Sequence, residues 1–144
     1  MAPATNLHDL ASTPLPKKHG LALVADDEPI VLRLGQMLLG QFGFDVLTAT
    51  NGKDALETYK ARSGDVKVVV LDLTMPALNG VETLQAIRAI DPHVPVIICT
   101  GYTDVELPPG AETGYTRFLT KPYFATELRK LVMEGVDSQA ALHV

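Results

Sequence analysis

The chain has 144 residues, of which 47% are hydrophobic and 20% are charged, and its formal net charge is -5. This length predicts one domain, and the composition is that of a globular rather than a disordered chain. The acidic balance, without a Lys/Arg cluster, argues against direct binding of nucleic acid, because phosphate neutralisation needs clustered cations. Since no apolar stretch approaches the ~20 residues that span a bilayer, we expect no direct membrane contact.

Residues 1–19 are rich in Pro, Ala and small polar residues and have no hydrophobic period, so they are predicted to form a flexible linker or tail. The single cysteine, Cys99, excludes an internal disulfide and favours a reducing, cytoplasmic setting. Its apolar neighbours predict a small buried hydrophobe. The four histidines have no metal-ligand spacing, and we assign them no function.

Five apolar segments of strand length follow from Gly20 onward: LALVA, FDVLTA, VKVVVL, VPVIICT and TRFLT. They alternate with helical patterns, which is typical of α/β proteins. Runs such as VVVL indicate strands that are covered on both faces, as in a parallel sheet. The sequence therefore predicts a doubly wound α/β domain with a five-stranded parallel sheet over residues 20–135.

The helical segments carry recognisable start signals. Pro29 suits a first helical position, and Asn51 and Asn79 are good N-caps. A last helix is expected from about Tyr123 to Gly135, followed by a frayed tail over residues 136–144.

The segment between the fourth and fifth strands, YTDVELPPGAETGYT, departs from this pattern. Pro108 and Pro109 would each destabilise a helix interior by roughly 3 kcal/mol or more, since proline lacks the N–H donor and clashes with the preceding turn. The helix at this position is therefore predicted to be short, broken or absent.

Polar residues stand where four of the predicted strands end. Asp26 and Asp27 follow the first strand, Asp72 ends the third, Thr100 ends the fourth and Lys121 follows the fifth. Ligand sites of doubly wound sheets lie beyond the carboxyl ends of the strands, so we expect these side chains to share one crevice. Three carboxylates beside one ammonium repel one another by energies on the order of a kcal/mol, which predicts a bound cation.

Phosphoryl transfer onto a carboxylate is the chemistry that this set suggests, with Asp72 as the nucleophile. Lys121 would pair with one phosphoryl oxygen, and the Thr100 hydroxyl would donate to another. The oxygen-only donor set favours Mg²⁺. We expect Asp27 and Asp72 to bind it directly, together with the backbone carbonyl of Thr74, and Asp26 to bind it through water.

At these residues the sequence resembles the receiver domain of two-component response regulators. The matching stretches are LVADDEP, VVVLDLTMPALNG, VIICTGY and FLTKP, in receiver order and spacing. The resemblance implies the flavodoxin-like strand order 2-1-3-4-5. It also implies that a histidine kinase or a histidine phosphotransfer domain donates the phosphoryl group to Asp72, within a phosphorelay.

Several finer features come with the resemblance. The Lys121–Pro122 bond is expected to be cis. On phosphorylation, Thr100 would move toward the phosphoryl group, and the aromatic ring of Phe118 would turn inward behind it. Thr74 and Tyr102 occupy positions at which the family tunes dephosphorylation.

The Pro-rich segment before the first strand and the TGY after the fourth are similar to receivers attached to hybrid sensor histidine kinases. The chain would then be either a stand-alone receiver or one excised from such a kinase. A homodimer stays open as a partner, but the altered segment after the fourth strand removes part of the face through which many receivers dimerise.

Other functions are compatible with parts of this pattern. Asp26, Asp27 and Glu28 could simply cap the first helix. A metal-dependent phosphatase with an aspartyl nucleophile is an alternative, although such enzymes usually carry a second acid where Thr74 stands. A binding module that works without phosphorylation, or a flavin carrier on the same fold, is a third. A signalling phosphoacceptor is the interpretation that accounts for all the polar residues at the strand ends. Such a protein assists only its own phosphorylation and dephosphorylation and is not otherwise an enzyme.

Overall fold

The computed structural model describes residues 19–101, 106–109, 111 and 113–142, except for the side chains of 140–142. Strands and helices alternate along the chain, except that the described residues between the fourth and fifth strands form no helix. The strands are β1 (Leu21–Ala25), β2 (Asp45–Ala49), β3 (Val66–Asp72), β4 (Val96–Thr100) and β5 (Thr116–Thr120). The helices are α1 (Pro29–Gln41), α2 (Gly52–Arg62), α3 (Gly80–Ile90) and α4 (Ala125–Leu142).

The five strands form one parallel sheet in the order β2-β1-β3-β4-β5, which confirms the predicted fold class and strand order. Ala25 pairs with Leu71, and Thr100 pairs with Thr120. The last residues of the strands are thereby aligned at one edge of the sheet. Any polar residue that ends or follows a strand is brought to this edge.

The sheet separates two hydrophobic layers. Leu23, Val69 and Ile98 face the layer beneath α2 and α3, whereas Val24 and Cys99 face the layer beneath α1 and α4. Strands β1, β3 and β4 are therefore covered on both faces, as their unbroken apolar sequences predicted. Cys99 is 4% exposed, as expected for a small core residue, and burial raises the pKa of its thiol to about 12.

Both predicted asparagine caps are present. The side chain of Asn51 accepts a hydrogen bond from the Asp54 N–H at 2.8 Å. Asn79 accepts from the Glu82 N–H, and the Glu82 carboxylate accepts from the Asn79 N–H in return, both at 2.9 Å. Gly80 follows in a cradle where an added Cβ would lie 2.6 Å from the Asp72 carbonyl oxygen, so only glycine lets α3 start this close to the end of β3.

The connection from β4 to β5 contains no helical residue at the described positions 106–109, 111 and 113–115, in agreement with the prediction from its two prolines. The Ala111 N–H donates to the Pro108 carbonyl at 3.1 Å and closes a turn. Leu107 and the buried Ala111 pack on the layer beneath α2 and α3. An irregular segment with two apolar side chains thus lies where a helix would otherwise be.

The expected end of the last helix at Gly135 was wrong, because α4 continues to Leu142. Residues 136–142 are helical and do not form the expected frayed tail. Gly135 is buried, and a Cβ on it would lie 2.8 Å from the Pro95 side chain and 2.9 Å from the ring of Tyr115. The glycine permits close helix packing instead of ending the helix. Residues 1–18 and 143–144, at the two predicted tails, lie outside the described residues.

Candidate functional site

The carboxyl edge of the sheet brings together the residues that the sequence singled out. Asp26 and Asp27 follow β1, Asp72 is the last residue of β3, Thr100 ends β4, and Lys121 follows β5. The Lys121 backbone N–H donates to the Thr100 carbonyl oxygen at 2.7 Å, which continues the β4–β5 pairing by one residue. Chain segments that are distant in sequence therefore meet at one place for the reason predicted.

Lys121 is the cation of this edge. Its Nζ donates to Asp72 Oδ1 at 2.6 Å and lies 3.3 Å from Asp26 Oδ2, although Asp26 and Lys121 are 95 positions apart. The Lys121 side chain is 25% exposed, whereas those of Asp72 and Asp26 are 10% and 6% exposed. Water screens these pairs less than it screens an ion pair on the surface.

Two carboxylates contact this ammonium, and a third lies beside them. Asp26, Asp27 and Asp72 each have an oxygen within 4.8 Å of the others. Asp26 and Asp72 are buried, and Asp27 is exposed. Oδ1 of Asp26 also accepts a hydrogen bond from the Glu28 N–H at 2.9 Å, beside the start of α1. Asp26 therefore meets both the cation and the N–H of the residue that precedes α1. This bond is a local turn, since α1 has no side-chain cap bond of the kind considered from the sequence.

The pKa values of Asp72 and Lys121 are both raised, for different reasons. Burial raises the pKa of Asp72, and the neighbouring charges of Asp26 and Asp27 add to this effect, while the hydrogen bond from Lys121 opposes it. Burial lowers the pKa of Lys121, but its hydrogen bond to Asp72 and the charges of the two buried acids outweigh burial and raise it overall. The lysine is thus held in its charged form, and the acids are in excess.

An open cavity of about 550 Å³ lies above these groups. Its lining comprises Asp27, Glu28, Asp72, Leu73, Thr74, Thr100, Gly101 and Lys121. Charged and hydroxyl groups from four chain segments reach this one space. It can admit a small anion together with a hydrated cation.

The donor set of the cavity fits a hard divalent cation. Three carboxylates and one ammonium leave two negative charges in excess within a few ångströms. Histidine and cysteine are absent from this group, so its ligand atoms are carboxylate oxygens, which suit Mg²⁺. Coulomb repulsion among the acids, two of them buried, is relieved when such an ion binds.

The remaining predicted residues lie around this cluster. Thr74 is exposed and lines the cavity. Phe118 is 38% exposed and pairs in register with Ile98, on the same face of the sheet as Thr100 two residues farther along β4. The Lys121–Pro122 peptide bond is cis, as the resemblance implied. Tyr102 lies outside the described residues.

The sequence placed Glu28 at the end of the first strand, as a possible helix cap and not as a site residue, yet Glu28 lines the cavity and makes no side-chain cap bond. The acidic run DDE was the available signal, since its third acid follows the same strand end. Arg88 was missed entirely: it is 7% exposed and lies near the end of α3. A single arginine in an amphipathic helix gives no sign that it will be buried.

Comparison with known families agrees with this geometry. The profile of the response regulator receiver domain matches residues 22–133. The chain belongs to this family. The receiver domain is 37% identical over 107 residues to the transcriptional regulatory protein PrrA of Mycobacterium tuberculosis, a match that covers 74% of the chain and 45% of PrrA. The chain spans about half the length of the curated relatives that it matches.

Two solved structures show the same fold. A response regulator receiver domain protein from Clostridium thermocellum is 32% identical with a TM-score of 0.78, covering 85% of this chain and 98% of that one. The receiver domain of the hybrid histidine kinase CckA is 29% identical with a TM-score of 0.70, covering 81% and 99%. A receiver from a hybrid kinase is thus among the structural relatives, as the sequence suggested. In the described part of the chain, every helix is too short or too polar to cross a membrane.

Proposed function

We propose that this receiver domain accepts a phosphoryl group on Asp72 from the phosphohistidine of a histidine kinase or a histidine phosphotransfer domain. The observation that carries the proposal is the 2.6 Å contact between Lys121 Nζ and Asp72 Oδ1, beside two more carboxylates and an open cavity. A carboxylate so placed can be reached from solvent. It also has a cation beside it to offset the charge of an incoming phosphoryl group.

In the transfer step, an oxygen of the ionised Asp72 forms a bond to phosphorus while the bond from phosphorus to the donor imidazole nitrogen breaks. The electron pair of that bond leaves with the imidazole. Lys121 remains protonated, since its pKa is raised, and its ammonium would follow the charge from the carboxylate to a phosphoryl oxygen. The Thr100 hydroxyl would donate to another phosphoryl oxygen across the cavity.

Mg²⁺ would be held by Asp27, Asp72 and the Thr74 backbone carbonyl, with Asp26 binding through water. The ion would supply electrostatic compensation for the negative charge shared by the acids and the phosphoryl oxygens. This assignment follows from the excess of negative charge and from the oxygen donors of the cluster.

The response to phosphorylation would pass through Thr100 and Phe118. Thr100 ends β4 at the cavity, and the ring of Phe118, 38% exposed, lies on the same face of the adjacent strand. Movement of Thr100 toward a phosphoryl group would open space along this face, into which the Phe118 ring can turn and lose its exposure to water. Thr74 and Tyr102 would set the rate of dephosphorylation.

An apolar surface beside the cavity favours a protein as the phosphoryl donor. Ile30, Leu34 and Met37 are 85%, 44% and 52% exposed and follow one another on one face of α1. With Pro29 and Arg33 they line a groove of about 360 Å³. The groove begins immediately after Glu28, at the rim of the cavity. An amphipathic helix of the phosphohistidine protein would fit here and carry its phosphoryl group to Asp72.

The output of this receiver would be a change of protein partner, since the acidic chain is unsuited to bind nucleic acid directly. The structure offers no specific support for the phosphatase alternative. At the position where an aspartyl-nucleophile phosphatase usually has its second acid, the chain has Thr74.

The proposal is tested by incubating the protein with Mg²⁺ and acetyl phosphate and measuring its intact mass. We expect the parent to gain one phosphoryl group, stable in acid and labile in base, and Asp72→Asn to gain none. Asp65→Asn, which changes an exposed acid away from the cavity, is the matched control and should behave as the parent. An equal adduct on Asp72→Asn, or no adduct on the parent at any Mg²⁺ concentration, would refute the proposal. Sustained hydrolysis of p-nitrophenyl phosphate would favour the phosphatase instead.

A further inference from the structure

Arg88, near the carboxyl end of α3, joins the starts of two strands at the edge of the sheet opposite the cavity. Its Nη1 donates to the carbonyl oxygens of Val94 at 2.6 Å and Asp91 at 3.3 Å. Its Nη2 donates to the Tyr115 carbonyl at 3.0 Å and to Thr116 Oγ1 at 2.7 Å. Val94 precedes β4, and Thr116 begins β5, so one planar guanidinium holds both strands.

The burial of this arginine calls for a physical reason. Arg88 is 7% exposed, and the four acceptors of its hydrogen bonds are neutral. Burial lowers the pKa of the guanidinium, although an arginine keeps its charge at neutral pH. Its Nε has no hydrogen-bond partner in the described part of the chain. No carboxylate at the described positions forms an ion pair with Arg88, although the nearby charge of Asp91 favours its charged form. Burying a charge in this way is unfavourable by itself, so what it stabilises is the geometry of the backbone carbonyls around it.

Strand β5 has few other attachments. It lies at the edge of the sheet and pairs with β4 alone, and only Leu119 of its five residues is buried. The described residues before it form no helix that could cover it. Just before the strand, the Tyr115 hydroxyl donates to the Leu131 carbonyl of α4 at 2.8 Å. Arg88 is therefore one of the few groups that fix where β5 begins.

The same strand leads directly to the site. Lys121 follows Thr120, the last residue of β5, and its backbone N–H bonds to Thr100. Five residues at ~3.3 Å each place the Arg88 end about 16 Å from the Lys121 end of this strand. A short edge strand opens as a unit, so a loss of contacts at its start is transmitted along it.

We propose that Arg88 is a positioning residue, which sets the place of Lys121 relative to Asp72 through β5. The inference rests on the proposed phosphoacceptor function, because Lys121 matters only if a phosphoryl group reaches Asp72. The proposed ligands of Mg²⁺ belong to β1, β3 and the residues that follow them. An effect carried by β5 therefore slows phosphorylation without weakening Mg²⁺ binding, whereas general loosening of the fold weakens both.

The test uses two variants and one control. Arg88→Lys keeps the positive charge, but a lysine ammonium cannot donate to both strands at once as the planar guanidinium does. Thr116→Val keeps a β-branched residue in the strand and removes Oγ1, which accepts from Arg88 and donates to the Thr113 carbonyl at 3.2 Å, so it serves if Arg88→Lys does not fold. Tyr59→Phe is the control: it removes a buried hydroxyl that donates to Asp91 at 3.2 Å, next to Arg88 but outside β5.

For each protein, the rate of phosphorylation by acetyl phosphate and the Kd for Mg²⁺ are measured at a temperature where circular dichroism shows the variants folded. Amide hydrogen exchange is followed by NMR in parallel. For Arg88→Lys we expect about a tenfold slower phosphorylation, since small displacements of a reacting group have effects of this size. Its Kd for Mg²⁺ should not increase, because a displaced Lys121 competes less for the acids, and the Lys121 amide should exchange faster than those of β1. Thr116→Val should change in the same direction by less, and Tyr59→Phe should match the parent.

An unchanged rate in Arg88→Lys, or a rate and a Mg²⁺ affinity that fall together, would overturn the inference. If the parent itself accepts no phosphoryl group, the proposed function fails, and hydrogen exchange decides the positioning role alone. Selectively faster exchange at Lys121 would support it. Uniform or unchanged exchange would reject it.

Discussion

The strands of the sheet end at its carboxyl edge and begin at the opposite, amino edge. Each of these two edges holds a partly or fully buried cation, but the two cations are neutralised in different ways. At the carboxyl edge, Lys121 contacts two buried carboxylates, with a third nearby, beneath an open cavity. At the amino edge, Arg88 donates to three backbone carbonyls and one hydroxyl and is enclosed. The first edge has an excess of negative charge and access to solvent, whereas the second has neither.

Because of this difference, the carboxyl edge is suited to bind ligands, whereas Arg88 at the amino edge has a structural role. Excess charge that water can reach is relieved by a ligand, so the carboxyl edge is suited to bind Mg²⁺ and a phosphoryl group. A buried guanidinium whose two Nη groups donate to backbone carbonyls and a hydroxyl ties chain segments together instead of presenting its charge to a ligand. Substitutions at the two edges should therefore affect different measurements.

The largest effect on stability is expected at the amino edge. Arg88→Met leaves buried carbonyls of the Arg88 junction without donors, at ~1–3 kcal/mol each, so the free energy of unfolding should fall by about 3 kcal/mol. Urea denaturation followed by circular dichroism measures it. Arg129→Met, which removes an exposed arginine of α4, is the matched control and should stay within about 0.5 kcal/mol of the parent. If the two variants were equally stable, the hydrogen bonds of Arg88 would not stabilise the packing of β4 and β5.

The largest effect on activity is expected at the carboxyl edge. Lys121→Met removes the cation that would stabilise the charge of the transferred group, and phosphorylation by acetyl phosphate should slow by about 100-fold. Mg²⁺ should bind more tightly, because the acids lose a competing positive charge. Intact mass against time and calorimetric titration with Mg²⁺ report the two quantities.

Lys53→Met changes an exposed lysine of α2 and should leave both quantities as in the parent. Weaker Mg²⁺ binding in Lys121→Met would show that the lysine orders the acids more than it opposes the ion. In that case Lys121 would have a structural role at the carboxyl edge, as Arg88 has at the amino edge.

Helix α3 connects the two edges, since it starts beside Asp72 and carries Arg88 near its other end. Removing its capping box with Asn79→Ala should lower the free energy of unfolding by about 1 kcal/mol, while Asn79→Ser keeps a capping oxygen and should preserve most of it. Thermal and urea unfolding measure this. A loss in Asn79→Ser as large as in Asn79→Ala would assign the effect to something other than the cap.

The smallest effect is expected in the loop between β3 and α3. Ala77 has a φ of 69°, a left-handed conformation that costs a non-glycine residue about 1–2 kcal/mol. Ala77→Gly should raise the free energy of unfolding by up to about 1 kcal/mol, because the added freedom of glycine in the unfolded chain offsets part of the relief. A decrease in stability would show that the methyl group makes contacts worth more than the strain.

The sequence by itself determined the fold and the members of the acidic cluster. Five apolar runs with polar ends can be read as parallel strands because the pattern is local and repeats. Carboxyl ends of parallel strands then meet at one edge as a matter of topology, which is why Asp26, Asp72 and Lys121 could be placed together before their distances were known. Pro108 and Pro109 likewise act locally, through a missing donor, and so predicted the irregular connection before β5.

Only the tertiary structure decided which residues serve long-range packing. Gly135 has the chemistry of a helix stop, yet the proximity of Pro95 and Tyr115 makes it a site of close contact within α4. The sequence around Arg88 predicts a solvated helix residue, yet the carbonyl groups just before β4 and β5 accept its hydrogen bonds and allow the charge to be buried. In both cases the deciding partners come from chain segments far away in sequence, and no local pattern encodes a contact whose geometry depends on how helix and sheet are packed.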